Sequence, residues 1–167
     1  LDAGITKTDG SNVALRGNEK DGSEMQGYNL SARRLHGSWT FETGIRGTLA
    51  EVEIDPIPFP FYVPVDGNYS THTNRHLGRM SAKYLGPHWK SSLLISSNKT
   101  LVENLSEGQV ATNTRGRRDT LTFSNNIHLG QYQDLNLTFD HENELLSQSG
   151  SADLYGNPNQ KQSIDTT

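Results

Sequence analysis

Side chains that commonly perform catalysis are present, but they are not spaced as in known catalytic motifs. The six histidines are scattered through the chain. His72 and His76 are four residues apart, a spacing that brings two side chains close enough to share a metal ion only on a helix, and their segment has no helical pattern. No serine lies in the strained Gly-x-Ser-x-Gly turn that exposes a nucleophile, and the absence of cysteine excludes disulfides and thiolate chemistry. We therefore expect a protein that is not an enzyme and has no metalloenzyme centre.

Aromatic residues in a proline-rich segment are better candidates for binding chemistry. Residues 55–64 contain four prolines. Proline has no N–H group for a strand ladder, so this segment is predicted to be an extended loop. Phe59, Phe61 and Tyr62 lie in the loop and Tyr69 follows it, and together they are candidate substrate-contacting residues. The alternative is a loop that packs its own aromatic rings against the rest of the protein.

The residues around these candidates follow the two-residue period of β-strands. In the stretch LHGSWTFETGIRGTL, residues 35–49, large apolar side chains alternate with polar or charged ones. That period is typical of a strand with one apolar face. Repeated along the chain, it predicts about seven strands, near residues 1–8, 27–35, 38–54, 76–85, 89–99, 118–129 and 133–146.

The connections between these strands fall into two kinds. Tight turns are predicted at Gly37, Gly86 and Gly130, because glycine accepts turn conformations. Long polar loops are predicted at residues 9–26, 55–75 and 100–117. Short turns that alternate with long loops are typical of outer-membrane barrels, whose short turns face the periplasm and whose long loops face outside.

The composition bears on what the apolar strand faces contact. Hydrophobic residues make up 32 % of the chain, and adding its 16 glycines leaves the total below the roughly 45–50 % of soluble domains. The chain thus has few apolar residues with which to fill the core of a soluble domain. Disorder is disfavoured as well, because the alternation is regular. In a membrane barrel only every second strand residue must be apolar, because the lumen can stay polar. We therefore predict an all-β, antiparallel, up-and-down transmembrane β-barrel.

Charge and hydropathy exclude two other classes of protein. The formal net charge is −4, with 15 basic and 19 acidic residues, which gives no basic surface for nucleic acid. No run of about 18 apolar residues occurs, so no membrane-spanning helix is expected. The lipid bilayer, reached through strands, is the predicted partner.

The alternation also predicts which side chains share a face. Six charged residues on the polar phase are predicted to face inward, opposite the large apolar side chains: Arg33, Glu42, Arg46, Arg79, Lys83 and Asp140. Aromatic residues beside the short turns are predicted to form an interfacial girdle: Trp39, Tyr84, Trp89 and Tyr132. Ordinary β-propensity is the alternative explanation for these four rings.

Three stretches resemble the barrel of TonB-dependent outer-membrane receptors, and most of all that of the vitamin B12 (cobalamin) receptor group. They are EKDGSEMQGYNLSARR at 19–34, RHLGRMSAKYLGPHWKSSLLISSNKT at 75–100 and TRGRRDTLTFSNNIHLGQYQDLNLTFDHENELLSQSGS at 114–151. The first looks like an acidic loop and the strand that follows it, and the other two look like barrel hairpins. Beside the 22-stranded barrel and plug domain of that family, the chain looks like a barrel segment without a plug.

The resemblance implies a bacterial outer-membrane receptor that takes up cobalamin or a related corrinoid. Energy would come from the TonB complex through a plug domain that is absent from this chain. Receptors of the cobalamin group hold calcium with acidic side chains in outer loops, which makes calcium an optional cofactor here. The matching carboxylates are Asp9, Asp21, Glu24, Asp55 and Asp66, with Glu19 in the first of the two loops. The alternative is that these carboxylates are simply solvated.

Other functions remain open from the sequence. A ferric-siderophore receptor barrel would share the same strand pattern. A free-standing small barrel, acting as a pore or a surface-binding module, would use residues 160–167 as an eighth strand and reach the even number that bacterial barrels favour. A soluble β-sandwich would instead bury Phe41, Ile45, Phe123 and Leu137 in one dry core against a second sheet.

Overall fold

The computed structural model describes residues 1–12, 14, 20–151 and 156–167. These residues form one sheet of eight antiparallel strands, in which each strand pairs with its neighbours in chain order. The fold class is therefore all-β and up-and-down, as the alternation predicts. The strands are β1 (Asp2–Thr8), β2 (Ser23–His36), β3 (Trp39–Glu53), β4 (Tyr69–Leu85), β5 (Trp89–Ser106), β6 (Gln109–His128), β7 (Asp134–Gly150) and β8 (Gln160–Thr166).

The sheet is open rather than closed on itself. Within the described residues, β1 pairs only with β2 and β8 pairs only with β7. β8 is an addition to the seven strands that the apolar alternation predicts. Its residues QKQSIDT carry a single large apolar side chain, Ile164, so the period used to find the other strands is almost invisible there.

One end of the sheet, the short-turn end, carries tight connections. Between β2 and β3 only Gly37 and Ser38 intervene, and the φ of +57° at Gly37 suits the first central position of a tight hairpin turn. The turn between β4 and β5 is closed by a hydrogen bond from Gly86 N to Trp89 O (2.9 Å). The turn between β6 and β7 is closed by one from Leu129 N to Gln133 O (2.9 Å). The three turns predicted from glycine positions are confirmed.

The other end, the long-loop end, differs most from the sequence prediction in one connection. Residues 100–117, predicted as a loop, instead extend β5 and β6 and meet in a two-residue turn at Glu107 and Gly108. Both turn residues have positive φ, +52° and +71°, as a type I′ hairpin turn requires. The loops predicted at 9–26 and 55–75 are also shorter, because β2 begins at Ser23 and β4 at Tyr69.

These extra strand residues pair through polar side chains, which explains why the apolar period missed them. Thr71 Oγ1 donates to Asn104 Oδ1 (2.9 Å), and Asn104 Nδ2 donates to Thr112 Oγ1 (2.8 Å), so one amide links three strands. Asn113 Nδ2 donates to Glu103 Oε1 (2.7 Å) beside them. Strand segments that are mostly polar gain their stability from the backbone ladder and from such cross-strand pairs. Because neither the ladder nor these pairs require apolar side chains, the segments show no apolar alternation.

Candidate functional site

One face of the sheet, called the apolar face below, carries rows of large hydrophobic side chains. Residues directly opposite each other in antiparallel strands share a face, so the strand register defines each row. The most complete row crosses five strands and consists of Phe41, Ala82, Leu93, Phe123 and Phe139. The next row contains Met80, Ile95 and Leu121. Within the described residues no hydrophobic side chain is buried, and Phe41 and Phe123 remain 44 % and 41 % exposed.

Three aromatic rings mark the edge of the apolar face at the short-turn end. The Trp39 and Tyr84 rings lie 5.1 Å apart, and the Tyr84 and Trp89 rings also lie 5.1 Å apart. The Trp89 indole N–H donates to Asn125 Oδ1 (3.0 Å), so its polar atom is satisfied within the sheet. Tyr132, predicted to belong with them, lies in the β6–β7 turn and is 89 % exposed. The structure thus brings three of the four predicted girdle residues into ring contact.

The apolar face becomes polar toward the long-loop end. Asp119, two residues beyond Leu121, accepts a hydrogen bond from Ser97 (2.6 Å) and pairs with Arg117 (2.7 Å). Further along, His72 pairs with Glu51 (3.2 Å). The hydrophobic part of this face therefore has two boundaries, an aromatic one and a charged one.

The opposite face, called the polar face below, carries all six charged residues that were predicted to share a side. The register places Arg33 directly opposite Glu42, and it puts Lys83 and Asp140 on the same face of the sheet as these two residues. Glu42 lies between two cations, with Arg33 Nε at 3.4 Å and Lys83 Nζ at 3.3 Å. Arg118 pairs with Glu144, and its Nε lies 3.6 Å from Glu142. The prediction of a shared face is confirmed, and much of its charge is compensated across strands.

The proline-rich loop between β3 and β4 projects aromatic rings from the long-loop end. Phe59 and Phe61 are 79 % and 83 % exposed, and Phe59 meets Tyr62 edge to face at 5.9 Å. Backbone hydrogen bonds from Tyr62 N to Pro58 O (3.0 Å) and from Val65 N to Pro56 O (3.1 Å) shape the loop. Tyr69 is not at the tip, because it is the first residue of β4 and half-buried. Three of the four predicted residues therefore form one exposed group.

The candidate calcium ligands lie at the same end but are not gathered into one site. Asp9 and Glu24 line one cleft with Lys7 and Glu51, whereas Asp66 Oδ1 accepts a hydrogen bond from Asn12 (3.5 Å). Among the described residues no three His, Asp or Glu side chains are grouped as metal ligands. Asp21 and Asp55 are half-buried, and Glu19 lies outside the described residues. Calcium binding stays a prediction.

Glu24 is held in its charged form at the edge of that cleft. The Gln26 amide donates to Glu24 Oε1 (2.8 Å), and Lys7 Nζ lies 3.5 Å from Glu24 Oε2. The hydrogen bond from Gln26 first, and then the Lys7 ammonium, lower the pKa of the Glu24 carboxyl from its ordinary value. Both oxygens of the Glu24 carboxylate are therefore already engaged, one by an amide and one by a cation.

Sequence reasoning missed contacts that depend on register. The Tyr28 hydroxyl and His76 Nδ1 lie 2.8 Å apart although 48 residues separate them in the chain. Their hydrogen bond crosses β3 above Gly47, the residue between them in the row. A glycine inside a strand signals that another group approaches closely, but the sequence does not say which group.

Comparisons with models of protein families, with curated proteins and with solved structures found no significant match to this chain. No helix in the described part of the chain is long and apolar enough to span a membrane. The function must therefore be inferred from the two faces of the sheet and from the loop.

Proposed function

We propose that the chain forms part of the wall and outer loops of a bacterial outer-membrane β-barrel. The apolar face would contact lipid, the polar face would line an aqueous lumen, and the loop between β3 and β4 would project outside. One observation carries the proposal: on β3 the apolar side chains Trp39 and Phe41 are exposed, whereas Thr40 and Glu42 on the polar face are half-buried. A sheet curved toward its polar face would produce this difference.

Solvation energy favours lipid over water as the medium around the apolar face. Exposing apolar surface to water costs roughly 25 cal/mol per Å², and contiguous apolar patches on soluble monomers rarely exceed a few hundred Å². Hydrocarbon removes this cost. The aromatic boundary at the short-turn end is also what a membrane interface favours, because Trp and Tyr rings place an apolar body in lipid and a polar atom near water.

We further propose that this wall belongs to an active-uptake receptor whose substrate is cobalamin or a related corrinoid. The family resemblance of three stretches supports this choice, as does the exposed group formed by Phe59, Phe61 and Tyr62. A corrinoid offers a broad macrocycle with peripheral methyl groups that aromatic side chains can cover. The chain itself would perform no chemistry. Energy would reach it from the TonB complex through a plug domain, and loop carboxylates would bind calcium where it is present.

Site-directed fluorescence quenching tests the membrane arrangement. The chain has no cysteine, so single cysteines can carry a fluorophore without background. With the protein in phospholipid vesicles, labels at Phe41, Ile45, Phe123 and Leu137 are expected to be quenched by a nitroxide on the lipid chains. Labels at Thr40 and Thr122, on the polar face, are the matched controls and should respond to aqueous iodide instead.

Two other quenching patterns would contradict the proposal. If the four apolar-face labels were silent to both quenchers, they would lie in a dry protein core. If they responded to iodide alone, the apolar face would contact water or another soluble surface.

A free-standing eight-stranded barrel is the second candidate, and the presence of β8 favours it. Eight is an even strand number, as bacterial barrels use. In that case β1 and β8 pair with each other, because an open edge in lipid leaves backbone groups unsatisfied. In a larger barrel both edges pair with other strands.

Disulfide crosslinking separates the two candidates. Pairs of cysteines, one within residues 3–5 of β1 and one within residues 162–164 of β8, can bond only where their Cα atoms come within about 7 Å. Efficient crosslinking in the folded, membrane-inserted protein would establish the small barrel. We expect no crosslinking for the receptor wall, while control pairs across β2 and β3 crosslink in both cases.

A further inference from the structure

The polar face contains a cleft that the proposed function does not require. It has a volume of about 630 Å³ and lies over β1 to β4. Gly4, Gly27 and Gly44 face it in the same phase, and Gly4 pairs directly with Gly27. A Cβ added at Gly4 would meet nothing within 4 Å, and one at Gly27 only the Gly47 carbonyl oxygen at 3.8 Å. The cleft floor is thus backbone, with room for a small molecule.

Two arginines on the wall of this cleft form no ion pair with any residue in the described part of the chain. Arg46 and Arg79 both line it. Neither forms an ion pair within the described residues; Arg75 and Lys90 on the same face are also unpaired, whereas Arg33, Lys83 and Arg118 are paired, and only Arg46 and Arg79 line the cleft. Unpaired guanidinium groups at one place leave a local excess of positive charge.

The strand register lets both guanidinium groups reach the same point. Arg46 pairs with Leu77, so Arg79 is its diagonal neighbour on β4. Diagonal neighbours have Cα atoms about 7–8 Å apart, well within the reach of two arginine side chains. The Arg79 side chain also crosses toward β3, since a Cβ at Gly44 would lie 3.7 Å from its Nε and 3.8 Å from its Cγ. Gly44 therefore leaves space on β3 for the Arg79 side chain, two residues from Arg46.

Neutral hydrogen-bond donors surround the two arginines. Asn29 is directly opposite Arg46, and Ser31 is directly opposite Gly44. Both line the cleft. The single acidic residue among the lining residues, Asp2, lies on β1, two strands from Arg46. At about 4.8 Å between strands, its Cα is close to 10 Å from that of Arg46, so the positive side of the cleft is the wall formed by β3 and β4.

We propose that this cleft, the arginine cleft, binds a small ligand through a phosphate or carboxylate group held by Arg46 and Arg79. Guanidinium groups bind these anions through paired, charge-assisted hydrogen bonds, and the glycine floor lets the ligand approach the backbone. The inference goes beyond the proposed function, because it assigns a ligand to the polar face and holds for either barrel. The anion can come from a soluble molecule or from a lipid headgroup.

Residue-resolved arginine labelling tests the proposal. The protein is treated with phenylglyoxal in zwitterionic detergent, with or without inorganic pyrophosphate, and the modified peptides are quantified by mass spectrometry. Pyrophosphate is expected to slow labelling of Arg46 and Arg79 several-fold. It should leave Arg33, which is already paired with Glu42, and Arg34, on the apolar face, unchanged. Equal protection of all four arginines, or protection of Arg46 and Arg79 by neither pyrophosphate nor the anionic lipid of the second arm below, would overturn the proposal.

A second arm identifies the source of the anion. The labelling is repeated in phosphatidylcholine nanodiscs with and without phosphatidylglycerol, and with no pyrophosphate. Protection by phosphatidylglycerol but not by pyrophosphate assigns the cleft to a lipid headgroup. Protection by pyrophosphate assigns it to a soluble anion.

Substitutions show whether protection needs the cleft itself. Arg79→Gln is expected to weaken pyrophosphate binding about tenfold, the usual effect of losing a charged hydrogen bond. The protection of Arg46 from labelling measures this change. Gly27→Leu keeps every charge but fills the floor, and it should abolish protection. Gly78→Leu is its control, since a Cβ there meets nothing within 4 Å and points from the apolar face. Unchanged protection in Gly27→Leu would refute a bound ligand in the cleft.

Discussion

Ile95→Arg is expected to lower the free energy of unfolding in phospholipid bilayers by about 2–4 kcal/mol, the cost of an arginine on the lipid face near mid-bilayer. Ile95 lies on the apolar face between Met80 and Leu121. It is six residues from Trp89, roughly 20 Å along the strand, so it is well inside the aromatic boundary. Urea titration in vesicles, followed by the fluorescence of Trp39 and Trp89, measures the change.

Leu94→Arg is the matched control because it adds the same charge one residue away. Leu94 belongs to the polar face, opposite Ser81 and Thr122, and Glu42 is the next residue in that row. An arginine there would meet water and a nearby carboxylate, so we expect a change below about 1 kcal/mol. If the control lost as much stability as Ile95→Arg, the apolar face would not be the one that contacts lipid.

Replacing Phe59 and Phe61 together by alanine is expected to weaken cyanocobalamin binding by about 10- to 30-fold, the effect of removing an aromatic hot spot. Both rings project from the loop between β3 and β4 at the long-loop end. Because the loop backbone is fixed by its prolines and by two backbone hydrogen bonds, alanine should remove ring contacts without unfolding the sheet. Equilibrium binding to outer-membrane vesicles that carry the protein measures the affinity.

Tyr132→Ala is the control for this experiment. Tyr132 is equally exposed but lies in a turn at the short-turn end, and its loss should leave the affinity unchanged. Equal losses in both variants would point to a general destabilisation. Unchanged affinity in the double variant would show that the projecting rings do not contact a corrinoid, without altering the case for a lipid-facing sheet.

Much of the architecture was determined by the sequence alone. On β3 the strict alternation from Trp39 to Leu49 defines the strand, its apolar side and its charged side, because successive side chains of any strand point to opposite faces. The tight turns at Gly37, Gly86 and Gly130 were predicted just as directly, because glycine accepts turn conformations. These properties are local, so a single segment is enough to reveal them.

The same reasoning failed where the local signal was missing. The hairpin around Glu107 and Gly108 is mostly polar, with its few apolar residues in no regular alternation, and β8 has one large apolar residue. Their pairing depends on backbone hydrogen bonds with a neighbouring strand, and backbone groups are the same for every sequence. The positive φ at Glu107 is likewise imposed by the turn, since glutamate does not favour it.

Only the tertiary structure decided which residues meet across strands. Alternation assigns Arg46 and Arg79 to the polar face, but a register shift that paired Arg46 with Arg75 instead of Leu77 would preserve that face and still separate them. The same holds for Gly4 and Gly27, whose direct pairing opens the floor of the arginine cleft. Register is fixed by the turns and by the whole set of cross-strand contacts. The sequence therefore determined the strands and their two faces, and the folded sheet determined the sites on them.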